Sequence, residues 1–89
     1  MNAIVTVVGQ DKVGIIAAVC ALLAENNVNI LDISQTIIDG YFNMMMIVDM
    51  ADAKKHFAEI SGEMDALGEK IGVSIKCQRE EIFEKMHRI

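Results

Sequence analysis

The chain has 89 residues, 53% of them hydrophobic but only 4% aromatic and none of them Trp, so one core built from Ile, Val, Leu and seven Met is the most it can form. Its formal net charge is −5, from 13 acidic and 8 basic residues, and the Lys and Arg fall singly or in pairs without interleaved aromatics; a nucleic-acid partner is not expected. The apolar runs are short, the first residues have no basic flank, and Cys20 and Cys77 lie far apart in apolar segments, so the composition argues against a membrane span, a secretory leader and a disulfide framework, and for a cytoplasmic protein with reduced thiols.

Residues 3–8, Ala-Ile-Val-Thr-Val-Val, are β-branched and nearly unbroken, which predicts a central strand covered on both faces and ended by Gly9. From Gly14 to about Asn26, the positions Ile15, Ile16, Val19, Leu22 and Leu23 recur with helical spacing, and Asn26-Asn27 closes the helix. Val28 to Ile38 then reads as a long strand. Simple alternation puts Ile30, Asp32, Ser34 and Thr36 on one face and Leu31, Ile33, Gln35 and Ile37 on the other.

Asp39-Gly40, between Ile38 and Tyr41, is the strongest hairpin signal in the chain, since a type I′ turn needs positive φ at both central residues. A third strand from Tyr41 to Met50 has Phe42, Met44, Met46 and Val48 on one face and Asn43, Met45, Ile47 and Asp49 on the other. Asp52 is the predicted N-cap of a second helix carrying Phe57, Ile60, Met64, Leu67 and Ile71 on one side, with Gly72 as its C-terminal cap. Val73 to Gln78 supplies a last strand. The spacing of Ile82, Phe83 and Met86 allows a short helical tail from Glu80 to Met86.

The order β-α-β-β-α-β predicts one α+β domain over residues 1–89, ferredoxin-like, with a four-stranded antiparallel sheet and both helices on one face. The other face keeps apolar residues, so a homodimer or higher oligomer is expected. Several functions that this fold can host lack their residues here. Two cysteines cannot hold an iron-sulfur cluster, no Cys-x-x-Cys pair exists for a metal chaperone, and Arg79 and Arg88 lie far from the first loop. His56 and His87 have no metal-ligand spacing. The run Met44-Met45-Met46 points to packing, because neighbouring strand residues face apart. No cofactor and no catalytic trio is expected.

The informative segment is Gly9-Gln10-Asp11-Lys12-Val13-Gly14-Ile15-Ile16, a loop that leaves a strand and opens a helix. Asp11 is placed to cap the helix by accepting from the Gly14 amide, and Gly14 lets another group come close to the helix start. Free amides and the positive end of the helix dipole suit such a start to a carboxylate. The competing explanation is that Asp11 only caps and that Gly9 and Gly14 only permit the turn.

Asp-Lys-Val-Gly-Ile-Ile after the first strand, Asn27-Val28-Asn29-Ile30 opening the second, and the element order over nearly the whole chain resemble the ACT domain family. Within that family the chain is similar to the UPF0237 group and to the ACT repeats of the glycine cleavage system repressor. It has Val13 where the usual family loop carries Pro. The resemblance implies a non-catalytic regulatory domain that self-associates and binds a small metabolite, an amino acid above all, where the first loop meets a neighbouring subunit, with occupancy relayed to a regulated partner protein. By position it points to Gln10, Asp11, Val13, Gly14 and Ile15, together with Asn29 and Ile30. The alternative is an oligomerisation or protein-interaction module without a ligand.

Overall fold

The computed structural model describes residues 1–81. Its elements are β1 (Asn2–Gln10), α1 (Ile15–Glu25), β2 (Asn29–Ile38), β3 (Tyr41–Asp49), α2 (Phe57–Ile71) and β4 (Ser74–Arg79). The four strands form one antiparallel sheet in the order β2-β3-β1-β4, so β3 and β1 are central and β2 and β4 are the edges. This is the expected ferredoxin-like fold. Glu80 and Glu81 are helical, and the rest of the predicted tail lies outside the described residues.

Directly paired residues of an antiparallel sheet share a face, so the register assigns every side chain. Ala3, Val5 and Val7 of β1, Phe42, Met44, Met46 and Val48 of β3, and Ile75 of β4 lie on the face toward the helices and are buried. Ile15, Val19 and Leu23 of α1 and Ile60 and Met64 of α2 close that core from above. Each fully buried side chain of this kind contributes roughly 1.5–3 kcal/mol relative to an exposed one. Far from the helices, the open face carries Ile4, Thr6 and Val8, Asn43, Met45 and Ile47, and Ser74, Lys76 and Gln78. Burial on this face is uneven: Ile4 is 5% exposed and Val8 48%. The expectation that the first strand is covered on both faces therefore fails at its C-terminal half.

Three further expectations are corrected. The pairing jumps from Ile30↔Val48 to Asp32↔Ile47, leaving Leu31 as an extra residue, a β-bulge that reverses the alternation. Ile30 thus points toward the core with Val48, whereas Asp32, Ser34 and Thr36 point to the open face, and Ile33, Gln35 and Ile37 share the helix side with Met46, Met44 and Phe42. Asp52 does not cap α2. That helix starts after His56, because residues 50–55 are spent on turns tied to the end of α1: the Lys54 amide donates to the Asn26 carbonyl at 2.9 Å, and the Asn27 side chain donates to the Asp52 carbonyl at 3.0 Å. The third correction, at Asp11, belongs to the site.

The turn residues behave as predicted. Asp39 (φ 51°) and Gly40 (φ 77°) are both left-handed, as a type I′ hairpin requires, and Gly72 (φ 77°) ends α2. Asn26, buried, ends α1 by donating from its side chain to the Leu22 carbonyl at 3.0 Å and to Glu63 at 3.2 Å. Lys55 completes this cluster by pairing with Glu63, and the two hydrogen bonds, from Lys55 first and Asn26 second, hold the Glu63 carboxyl below its ordinary range.

Candidate functional site

The first loop sits at the end of the molecule where β1 stops, the β2–β3 hairpin turns and α2 runs out. Two bonds hold it there. The Asp11 amide donates to the Gly40 carbonyl at 2.8 Å, and the Lys12 ammonium donates to the Ile71 carbonyl, the last of α2, at 3.1 Å. With its backbone drawn to the hairpin tip, Asp11 stands too early in the chain to cap the helix. The N-cap is Gly14 in the left-handed region (φ 93°), and no side chain bonds to the helix start.

This geometry leaves the amides of Ile15, Ile16 and Ala17 ahead of the first intrahelical bond, which runs from Ala18 to the Gly14 carbonyl at 3.0 Å. The first turn also has no acidic residue to offset the positive end of the dipole. A Cβ built at Gly14 meets nothing within 4 Å, so the approach to these amides is open. Gln10, Asp11 and Val13 line the same loop and are exposed, while Ile15 turns into the core. Chemically the arrangement can receive a small anion.

Asn29 and Ile30 are not there. Asn29 pairs with Asp49 and through it with Asn2, whereas the loop follows Gln10, eight residues along β1. At roughly 3.3 Å per residue, that separation is about 26 Å. Within one chain the first loop and the start of β2 stand at opposite ends of the sheet. The polar stripe Asp32, Ser34 and Thr36 lies on the open face, where Ser34 and Thr36 join Thr6, Asn43, Val8 and Met45 around a shallow groove without a charged group. Among the described residues no three His, Cys, Asp or Glu side chains gather to hold a metal ion. His56 is an exposed residue at the start of α2. Cys20 and Cys77 are both free and half-buried, and burial, helped by the Asp65 carboxylate, pushes the Cys77 thiol up to about 11. Lys12 escaped the sequence reading, since its partner is 59 residues away and nothing in the local pattern signals it.

No described helix is long and apolar enough to cross a membrane. The βαββαβ order and the four-stranded antiparallel sheet define a domain of the ferredoxin-like class. The model of the ACT domain matches residues 2–78. A UPF0237 protein of Bifidobacterium longum is 70% identical, over 99% of this chain and 98% of its own. A solved ACT domain protein from Streptococcus pneumoniae superimposes with a TM-score of 0.82 at 48% identity, covering 94% of each chain. A protein assigned as a glycine cleavage system transcriptional repressor shares the fold, with a TM-score of 0.77 at 19% identity over 86% of this chain and 44% of its own. The chain belongs to the ACT domain family and, within it, to the UPF0237 group. The family is one of regulatory ligand-binding domains, which points to a non-catalytic protein.

Proposed function

We propose that this protein is a self-associating cytoplasmic regulatory domain that binds a small carboxylate-bearing metabolite, an amino acid by preference, at its first loop and relays occupancy to a partner protein. The observation that carries this reading is the uncapped, unobstructed start of α1. A carboxylate there gains roughly 0.3–1 kcal/mol from the dipole, too little alone for useful affinity, so further contacts must come from elsewhere.

A second copy can supply them. β2 is an edge strand of ten residues, all exposed except Ile30, and Leu31, Ile33, Ile37 and Ile38 along it are between 45% and 62% exposed. Such an edge offers unpaired backbone groups to another chain. Antiparallel pairing of two β2 edges would carry each copy's Asn29 and Ile30 to the end where its partner's loop stands. Binding and association would then be coupled.

Thermal shift against amino acids at millimolar concentration tests the proposal. A ligand at about 100 times its dissociation constant stabilises the native state by roughly 2.7 kcal/mol, several degrees for so small a domain. Gly14→Val should remove the shift and Asp11→Asn should keep it, since Asp11 makes no cap. The exposed β2 edge also supports a second reading, a ligand-free interaction module. Full assembly with no response to any amino acid would favour that reading.

A further inference from the structure

At the loop end of the molecule one cation bridges two elements that are far apart in sequence. Ile71 is the last residue of α2, and its carbonyl is among those a helix end leaves without an intrahelical donor. The next two amides fold back instead: those of Gly72 and Val73 both donate to the Gly68 carbonyl, at 2.8 and 2.9 Å. The Lys12 ammonium supplies the missing donor to Ile71, and a positive charge at this end also suits the helix dipole. It occupies the space that Gly72 leaves, since a Cβ there would lie 2.6 Å from the Lys12 nitrogen. Beside it the end of β1 meets the same turn closely, with a Cβ at Gly9 reaching 2.8 Å from Val73. The turn that ends α2 and the loop that opens α1 are therefore built against each other, with Lys12 as their only side-chain hydrogen bond among the described residues.

We infer that Lys12 is a positioning residue that latches the first loop onto the C-terminal turn of α2, and that a carboxylate held at the start of α1 releases this latch; the second half rests on the function proposed above. Lys12 lies two residues before the Gly14 cap on a flexible four-carbon stem, so the same ammonium can serve either acceptor. Both bonds have an ionised donor, but a carboxylate adds the attraction of opposite charges that a neutral carbonyl lacks, so the ammonium favours the ligand. Occupancy at α1 is then read at the far end of α2 and the start of β4.

Residue-resolved amide exchange tests both halves. Without ligand, Lys12→Met should speed exchange at Gly72, Val73 and Asp11 by roughly three- to tenfold while the β1–β3 ladder stays unchanged, and Lys12→Arg, which also donates, should restore the wild-type rates. Unchanged rates at those three amides, or a uniform rise across the sheet, would overturn the latch. A mixture of the standard amino acids at millimolar concentration is the probe for release. It should move the Ile15, Ile16 and Ala17 amide resonances in both proteins, but should speed Gly72 and Val73 only in the wild type. Moved resonances with unaltered Gly72 and Val73 exchange would overturn release and leave the site standing. Unmoved resonances would overturn the site and release together, with the latch decided by the ligand-free comparison.

Discussion

β2 and β3 are the two arms of one hairpin, nearly equal in length and both rich in Ile or Met, yet they end in opposite environments. In β3 every second side chain from Phe42 to Val48 is buried at 3% exposure or less. In β2, Ile33 and Ile37 share the face of those residues but remain largely exposed. Composition does not separate the arms. Position does: β3 is flanked on both sides and roofed by helices, whereas β2 is the edge beyond the helix layer. The other edge, β4, is roofed by α2 and keeps Ile75 buried and Cys77 half-buried. Apolar residues that a chain's own helices do not cover are the ones available to another chain.

Truncation should separate the two arms most sharply. Met46→Ala, which opens a cavity beneath the helices, should cost about 2–5 kcal/mol in urea denaturation. Next in size, the roofed β4 edge should reveal itself by titration. Burial raises the Cys77 thiol from 9.0 to about 11, so the folded state holds this proton more tightly than the unfolded chain. The associated stability is present below about pH 9 and is lost as pH rises through about 11, by roughly 1–2 kcal/mol once solvent screening of this half-buried group is counted, and Cys77→Ala should lack that decline. A thiol on a bare edge would show none. Gly72→Ala should cost about 1–2 kcal/mol, because a Cβ is strained at φ 77° and meets the Lys12 ammonium. The smallest effect is expected on β2, where Ile33→Ala should change the stability of the dissociated chain by about 0.5 kcal/mol or less. A loss at Ile33 matching that at Met46 would break the comparison.

The contrast between the arms was only half legible in the sequence. Features decided by a residue and its immediate neighbours could be read: Asp39-Gly40 and Gly72 adopt the left-handed conformations that their turn chemistry requires, and the buried parity of β3 follows its alternation. Features decided across space could not. The bulge at Leu31 exists only in the pairing with β3, and it moves Ile30 to the face opposite Asp32. Asp11 and Asp52 both carry the right chemistry for caps, but partners distant in sequence, the Gly40 carbonyl and the Asn26 to Asn27 turn, fix the surrounding backbone elsewhere. The candidate loop was recognised from its glycines and its place between strand and helix. The distance separating it from Asn29 and Ile30 required the register.

In the proposed assembly the bare β2 edge joins one copy to another and thereby completes the site. Sedimentation at micromolar concentration, comparing the wild type with Ile37→Lys, tests it most directly. A wild type with no substantial monomer, and a folded Ile37→Lys variant that is monomeric and no longer responds to amino acids, is the predicted result. A clean wild-type monomer with or without amino acids, or an assembly indifferent to Ile37→Lys, would rule out association through β2.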